Sequence, residues 1–314
     1  MIKITNFELM QPSGLSYGGH GGSKKGIILD DERWFLKYPK STKSMNVEGL
    51  SYSTTPLSEY LGSKIYSSIG LETHKVLLGY ANNKIVVACK DFLNSNEIII
   101  DYNMIKNDYE ENVERAIENL STSANLKLDH NIEETLLVME KNSYFKSIPA
   151  LKERFWEMFI VDAFINNNDR NEGNWGLILN KETGELKVAP VFDNGASFYN
   201  KSSDEKLLEL YEDDFKFKQS VYDNCVSVYH LNGKRIKPLK IIESMQNDEC
   251  NKAILRIVPK INMLTITDIF NDIPEEFNNI QVMSKMQKKY YLESLKYKYE
   301  NILLPVYKEL LKKI

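Results

Sequence analysis

The stretch INNNDRNEGNWGLIL, residues 165 to 179, contains residues whose types and spacing suit chemistry. Asp169 and Asn174 stand five positions apart (174 − 169) between a helical and a strand pattern, and Asp193 closes the following hairpin. Mg²⁺ binds carboxylate and carbonyl oxygens and usually shares them with phosphate groups. Phosphoryl transfer also needs a carboxylate that orients the acceptor hydroxyl. The pattern therefore predicts Asp169 as the base, with Asn174 and Asp193 as metal ligands.

A less specific interpretation is a turn rich in Asn and Asp, because both side chains hydrogen-bond their own backbone and suit loops. Two observations favour the chemical interpretation. Asp193 follows a hairpin directly downstream, and the order of base, Asn and second Asp matches the kinase catalytic loop and its metal-binding Asp. Arg170 follows the predicted base and would stabilise charge on a transferred phosphoryl group.

A glycine-rich segment, SYGGHGGSKKG, covers residues 16 to 26 and precedes a predicted strand. Glycines let backbone amides approach phosphates closely, and successive N–H groups form an anion site. The segment matches neither the Walker A pattern nor GxGxxG, and a flexible surface loop is the alternative. The predicted nucleotide ligands in it are Gly18, Gly19, Gly21, Gly22, Ser23 and Lys24.

Further predicted nucleotide contacts follow in order along the chain. Lys37 ends the apolar strand WFLK, where it would contact phosphates, and Glu59 on the next helix is its best partner. The alternative for Lys37 alone is a solvated lysine at the edge of a sheet. The alternative for Glu59 alone is a carboxylate in the first turn of a helix, where the helix dipole favours negative charge. Lys90 and Phe92 follow the strand IVVAC, where a hinge would offer backbone groups to adenine; a plain edge strand is the alternative.

The elements that must hold these residues change in type along the chain. Up to about residue 100 they are short strands and one helix, with hairpins turning at Asp30–Asp31 and Asn82–Asn83. Helices then predominate, apart from one hairpin whose second strand is predicted to end at Asp193, and everything after it is predicted to be helical. The sequence therefore predicts an α+β fold with two lobes, a small β-rich N-terminal lobe (1–100) and a larger helical C-terminal lobe (101–314).

Composition narrows the class of protein. The 314 residues can bury a sizeable core, and a net charge of −4 argues against direct nucleic-acid binding, which usually needs a basic face. The three cysteines are far apart and form no CxxC pair, so neither a disulfide framework nor a zinc site is expected. No signal peptide or membrane span is visible. We expect a cytoplasmic protein, with delivery outside the cell as the alternative.

These segments together resemble a known family. GGHGGSKKGI, FLKYP, SEYLGSKIYSSIGL, NNDRNEGNWGLI and APVFDNGASF are similar to segments of HipA-like serine/threonine kinases, and by layout to their short, CtkA-type members. The resemblance spans about residues 10 to 200, and the loop NNDRNEGNWG is its most specific part. It implies a protein-kinase-like fold related to phosphoinositide kinases, with ATP and Mg²⁺ as cofactors.

The resemblance also implies roles for individual residues. The base falls on Asp169, the metal ligands on Asn174 and Asp193, and the phosphate-binding lysine on Lys37, with Glu59 as its partner. It implies phosphorylation of a Ser or Thr hydroxyl, and autophosphorylation of a serine in or near the glycine-rich loop. Implied partners are a protein substrate, such as an aminoacyl-tRNA synthetase or a host protein, and a small antitoxin-like protein.

Two other functions stay open at this point. A small-molecule or lipid kinase would share the Asp–Arg–x–x–x–Asn arrangement, although the C-terminal part shows no basic substrate loop and no membrane-facing stripe. A toxin-type interaction module with little turnover would keep the fold without the chemistry. The complete set of Lys, Glu, Asp, Asn and Asp argues against a scaffold without activity.

Overall fold

The computed structural model of the protein describes residues 2–15, 24–43, 49–108 and 130–313. Five predicted nucleotide ligands of the glycine-rich segment, Gly18, Gly19, Gly21, Gly22 and Ser23, lie outside the described residues.

The N-terminal part forms a five-stranded sheet in the order β1-β4-β5-β3-β2, in which β1 and β4 are parallel and the other pairs antiparallel. Its strands are β1 (Thr5–Asn6), β2 (Lys24–Leu29), β3 (Glu32–Lys37), β4 (Val76–Ala81) and β5 (Lys84–Lys90). Both hairpin turns, at Asp30–Asp31 and Asn82–Asn83, have positive φ at the two central residues, as a type I′ turn requires. Both predicted hairpins are thereby confirmed.

One helix, α1 (Thr55–Ser68), follows β3 and packs on β4 and β5. Pro56 stands in its first turn, where its missing N–H costs nothing, and Gly70 with φ 77° follows its end. Leu57, Leu61 and Ile65 recur at helical spacing and are all buried. The apolar face of α1 therefore fixes it on the sheet, and the predicted helix is confirmed.

A second, three-stranded sheet contains β6 (Glu97–Asp101), β7 (Gly176–Asn180) and β8 (Leu186–Val188) in antiparallel order. The prediction that the last strand ends at Asp193 is wrong, because β8 ends at Val188. Ala189 still donates a hydrogen bond to Gly176, but Pro190 has no N–H to continue the ladder. The chain therefore leaves the sheet five residues (193 − 188) before Asp193.

The C-terminal part is mainly helical. Its helices are α2 (Ile132–Lys141), α3 (Ser143–Ser147), α4 (Pro149–Ile165), α5 (Asp204–Tyr211), α6 (Asp214–Asp223), α7 (Pro238–Ser244), α8 (Asp248–Ile257), α9 (Met263–Asn271), α10 (Lys285–Lys298) and α11 (Leu304–Leu311). A 3₁₀ turn, Val258–Lys260, follows α8, and a π-helical turn, Tyr299–Leu303, joins α10 to α11. Residues 102–108 are also helical.

The prediction of a purely helical remainder after Asp193 is wrong at two places. Hairpins form from β9 (His230–Leu231) with β10 (Lys234–Arg235), and from β11 (Glu276–Phe277) with β12 (Ile280–Gln281). Their turns contain Asn232–Gly233 and Asn278–Asn279, all with positive φ, and such residues adopt the left-handed conformation most readily.

A large apolar core joins the two parts of the protein. Leu78 and Val87 of the N-terminal sheet belong to the same cluster of buried side chains as α1, α4 and α10. The opposite face of the sheet buries a smaller cluster that includes Ile27, Trp34 and Leu36. Among the described residues, no helix has the length and apolar character needed to cross a membrane. The boundary at residues 100 and 101 stays a prediction.

Candidate active site

Three charged side chains from different elements meet at one point. Lys37 ends β3, Glu59 lies in α1, and Asp193 lies in the loop after β8. The ammonium nitrogen Nζ of Lys37 is 2.7 Å from Glu59 Oε2 and 2.8 Å from Asp193 Oδ1. Lys37 and Glu59 are buried, whereas the side chain of Asp193 is 37% exposed. Lys37 therefore links helix α1 to a loop whose carboxylate solvent can reach.

The ionisation of these groups is mutually dependent. Burial alone would lower the pKa of Lys37, but the carboxylates of Asp193 and Glu59 outweigh it and raise that pKa. Burial would likewise raise the pKa of Glu59 and of Asp193, yet the Lys37 ammonium holds both below their ordinary values. All three groups are consequently charged at neutral pH.

The second oxygen of Glu59 is also engaged. Its Oε1 lies 2.9 Å from Nε2 of His74, which is buried, and accepts a hydrogen bond from the main-chain N–H of Asn194 at 3.0 Å. Asn194 follows Asp193 directly, so Glu59 holds the Asp193 loop through its backbone as well as through Lys37. Charged acceptors form stronger hydrogen bonds than neutral ones, and this loop is therefore fixed.

Asp193 itself has a left-handed backbone conformation, with φ 58°. Asp and Asn occur in this region several times more often than other non-glycine residues. The ring of the preceding Phe192 packs against Phe92, with centroids 5.5 Å apart. The loop thus contacts the end of the N-terminal sheet on one side and α1 on the other.

The loop with Asp169 and Asn174 begins where α4 ends. Asn166 terminates the helix with φ 60°, and its backbone N–H bonds back to Asp162. The Asp169 N–H donates to Asn167 Oδ1 at 3.2 Å, and the side-chain amide of Asn174 donates to the Asp169 carbonyl at 2.8 Å. These are the side-chain-to-backbone bonds expected of an Asn-rich turn. They leave the Asp169 side chain exposed, as a base for an external hydroxyl must be.

Arg170 is buried and connects this loop to the Asp193 loop. Its guanidinium binds the Asp162 carboxylate, the Asn194 side chain and the carbonyls of Phe192 and Asn174. Two loops that are far apart in sequence therefore converge on one cation. These contacts favour a positioning role for Arg170, and its predicted contact with phosphate stays a prediction.

The remaining predicted site residues lie around this centre. Lys24 starts β2 directly opposite Lys37, and burial, followed by the charge of Lys37, lowers its pKa. Lys90 ends β5, and its ammonium forms an ion pair with Glu32, so its predicted contact with nucleotide stays a prediction. Phe92 contacts the Asp193 loop through Phe192.

Among the described residues, one group of buried side chains has the atom types of a metal site. Ligand atoms of Glu59, His74 and Cys89 lie within 4.8 Å of one another. Glu59 is already neutralised by Lys37, however, and burial raises the pKa of the Cys89 thiol well above its usual range. A thiol that stays protonated is a poor ligand, so this group is poorly suited to a metal.

Sequence reasoning missed the residues that hold the predicted ones in place. Asp162 accepts hydrogen bonds from Arg170, Asn167 and Tyr66, and its sequence signal is a lone carboxylate inside the apolar helix FIVDAFI. The contacts of His74 and Asn194 with Glu59 span 15 and 135 positions and carry no comparable local signal.

Comparison with known proteins identifies the family. The chain is 32% identical over 265 residues, 82% of its length and 75% of that of the relative, to the serine/threonine-protein kinase CtkA of Helicobacter pylori. The chain belongs to the HipA-like serine/threonine kinases. The crystal structure of the H. pylori proinflammatory kinase CtkA superimposes with a TM-score of 0.85 and 26% identity, covering 99% of both chains.

A second solved structure shares the fold alone. Shewanella oneidensis HipA, solved with HipB and operator DNA, gives a TM-score of 0.51 at 10% identity, over 95% of this chain and 70% of that one. No family model matches the sequence. The predicted α+β, protein-kinase-like fold and the resemblance to CtkA-type kinases are therefore confirmed.

Proposed function

We propose that this HipA-like kinase uses ATP and Mg²⁺ to phosphorylate a Ser or Thr hydroxyl of a protein. The observation that carries the proposal is the Lys37 ammonium, held 2.7 Å from Glu59 and 2.8 Å from Asp193. In kinases a strand lysine paired with a helix glutamate contacts the phosphates, and an Asp after the catalytic loop binds the metal. Family membership makes the same arrangement expected here.

The donor set fits a hard cation. The Asp193 carboxylate is 37% exposed. Asn174 uses its side-chain N–H group on the Asp169 carbonyl, and its Oδ1 accepts no hydrogen bond from any described residue. A carboxylate oxygen and an amide oxygen suit Mg²⁺, which neutralises charge on the phosphates when it is bound. Asp193 and Asn174 are the residues that would hold it.

The remaining work falls to groups of the chain itself. Asp169 is exposed and would accept the proton of the acceptor hydroxyl while orienting its oxygen. Arg170 would hold Asp169, Asn174 and Asp193 in fixed relative positions. It does so by donating hydrogen bonds to the carbonyls of Asn174 and Phe192, one in each loop. Most of the rate enhancement would then come from positioning and charge neutralisation.

The main chain near Phe92 is suited to adenine. The main-chain N–H groups of Lys90 and Asp91 donate to the carbonyls of Lys75 and Arg33. The N–H of Leu93 donates to the Asp91 carboxylate. Along this stretch of the described chain, the N–H of Phe92 has no partner and would be available to the base. The glycine-rich segment would cover the phosphates, and a serine in or near it would be the autophosphorylated residue.

The phosphoacceptor and partners belong to the same proposal. An aminoacyl-tRNA synthetase or a host protein would be the substrate. The HipB in the solved HipA complex makes a small antitoxin-type protein a reasonable partner to test. We place the kinase in the cytoplasm, with delivery into a host cell as the alternative, and expect it not to bind nucleic acid directly.

Phosphate transfer to the protein itself and to a generic protein acceptor tests the function. The purified chain is incubated with labelled ATP and Mg²⁺, beside Asp169→Asn and the control Asp31→Asn, which changes an exposed turn. We expect transfer by the wild type and the control and none by Asp169→Asn, with unchanged circular dichroism. Full transfer by Asp169→Asn would contradict the assignment of the base.

The same assay separates the alternatives. Transfer to phosphoinositide vesicles but not to protein would favour a lipid kinase. A rise in Tm with Mg-ATP and no labelled product with any acceptor would favour an interaction module.

A further inference from the structure

The β9–β10 hairpin touches the loop that carries Asp169. Arg235, the last residue of β10, donates from Nη2 to the Asn168 carbonyl at 2.5 Å and from Nε to the Ser227 carbonyl at 2.6 Å. Asn168 directly precedes Asp169. The guanidinium of Arg235 is therefore bound to the backbone next to the proposed base.

The hairpin is a rigid support for this side chain. The main-chain N–H of Ile236 donates to the carbonyl of Tyr229, and the N–H of Ser227 donates to the carbonyl of Ile236, each at 3.0 Å. Tyr229 is buried, accepts a hydrogen bond from Trp175 and packs edge to face on Phe155. Because these rings belong to the core, the position of Arg235 is set before any substrate arrives.

The positive charge of Arg235 is not neutralised within the described chain. Arg235 is exposed, and among the described residues its guanidinium contacts the carbonyls of Asn168 and Ser227 rather than a carboxylate. A guanidinium has five N–H donors. Two of them bind carbonyls, and three remain on Nη1 and Nη2, the end that forms bidentate pairs with carboxylates.

We propose that Arg235 binds an acidic side chain of the protein substrate beside the phosphoacceptor Ser or Thr. The proposal rests on the proposed kinase function, and it names the class of substrate: a hydroxyl flanked by Asp or Glu. An acceptor hydroxyl must reach Asp169, one residue from the carbonyl to which Arg235 is bound. A carboxylate close to that hydroxyl in sequence then meets a fixed guanidinium.

The neighbouring Lys234 provides a matched control. It lies on the same short strand, is also exposed, and its side chain makes no hydrogen bond or ion pair with any described residue. Successive side chains of a strand point to opposite faces, so Lys234 faces away from the side on which Arg235 meets the catalytic loop. Lys234→Ala removes the same charge from the same hairpin.

The test uses three peptides that differ in the residues flanking a single Ser: Glu, Ala or Lys. We measure kcat/KM for each with wild type, Arg235→Ala, Arg235→Glu and Lys234→Ala. The wild type should prefer the Glu peptide over the Ala peptide about 5- to 10-fold, mainly through KM, as expected of a fixed ion pair. Arg235→Ala should bring that ratio to about one, and Lys234→Ala should keep it.

Charge reversal supplies a second measurement, because Arg235→Glu should prefer the Lys peptide. A wild type without preference, or an Arg235→Ala variant with the wild-type ratio, would overturn the inference and leave the kinase function standing. The same holds if kcat falls equally for all three peptides, which would mean that Arg235 only supports the loop. No transfer to any peptide and no autophosphorylation would overturn the proposed function together with it.

Discussion

The carboxylate of Asp162 accepts two hydrogen bonds from the guanidinium of Arg170, from Nε at 2.9 Å and from Nη2 at 3.1 Å. Both side chains are buried. Burial alone would lower the pKa of Arg170, but the charge of Asp162 outweighs it and raises that pKa. Because Arg170 also binds the backbone of Phe192 and Asn174, this pair joins the end of α4 to both loops of the site.

Removing the Asp162 carboxylate should therefore destabilise the whole protein. Asp162→Ala leaves a buried guanidinium without its counter-charge, which costs about 3–5 kcal/mol in the free energy of unfolding. Asp214→Ala is the control, since that carboxylate is 78% exposed and solvent screens its pair with Lys218, so this variant should lose little stability. Urea unfolding measures both. Equal losses in the two variants would show that the Asp162–Arg170 pair has no special role.

Glu59 should control part of the stability in acid. Because its pKa in the folded protein lies below the ordinary value, its charge contributes stability that is fully present above the unfolded pKa, about 4.3, and is lost as pH falls further. In Glu59→Gln, the slope of unfolding free energy against pH below this value should be smaller by up to about 1.4 kcal/mol per pH unit.

Urea unfolding between pH 3 and 7 gives these slopes, with Glu185→Gln as a control. Glu185 is exposed on the turn between β7 and β8, so that variant should keep the wild-type slope. If Glu59→Gln also kept it, the buried pair with Lys37 would not contribute to acid stability.

Much of the candidate site could be read from sequence because its signals are local. The spacing of Asp169 and Asn174, the strand-ending Lys37 and the Asp193 after a hairpin each lie within a few residues of a recognisable element. Their meeting was predicted from order alone. The contacts themselves join residues 22 positions apart, from Lys37 to Glu59, and 156 positions apart, from Lys37 to Asp193. A local sequence pattern does not predict contacts at such separations.

The rest depended on tertiary contacts or on weak turn signals. The phosphate contact of Arg170 stays a prediction, but its ion pair with Asp162, a lone acidic residue in α4, could not be predicted from the local pattern. The hairpin that carries Arg235 was missed although it contains Asn232–Gly233, a strong short-range signal, because its strands are only two residues long. β8 ended early because Pro190 cannot donate to the ladder.

Lys298 is a further residue that no pattern in the sequence revealed. It is 1% exposed, and its ammonium donates to the carbonyls of Ala163 at 2.9 Å and Phe164 at 3.3 Å, in the last turn of α4. No carboxylate in the described part of the chain pairs with it, and burial lowers its pKa. The positive charge instead meets the negative end of the α4 dipole, just before the loop of Asp169.

Lys298→Met should weaken both stability and turnover. The buried carbonyls of Ala163 and Phe164 lose their charged donor, at a cost of about 1–3 kcal/mol, and kcat should fall because the end of α4 positions Asp169. Lys296→Met, an exposed change on the same helix, should do neither. Urea unfolding and the transfer assay measure the two effects.

The pH dependence gives Lys298 a distinct signature. Because its folded pKa is lowered, the unfolded chain binds its proton more tightly between that pKa and the ordinary value, about 10.4. Stability therefore rises with pH within this window, because the unfolded chain keeps the proton that the folded chain has released. In Lys298→Met the rise attributable to this group should disappear. Unfolding free energies at intervals from pH 7 to 9.5 test this prediction. Identical slopes for wild type and Lys298→Met would mean that burial does not lower the pKa of Lys298.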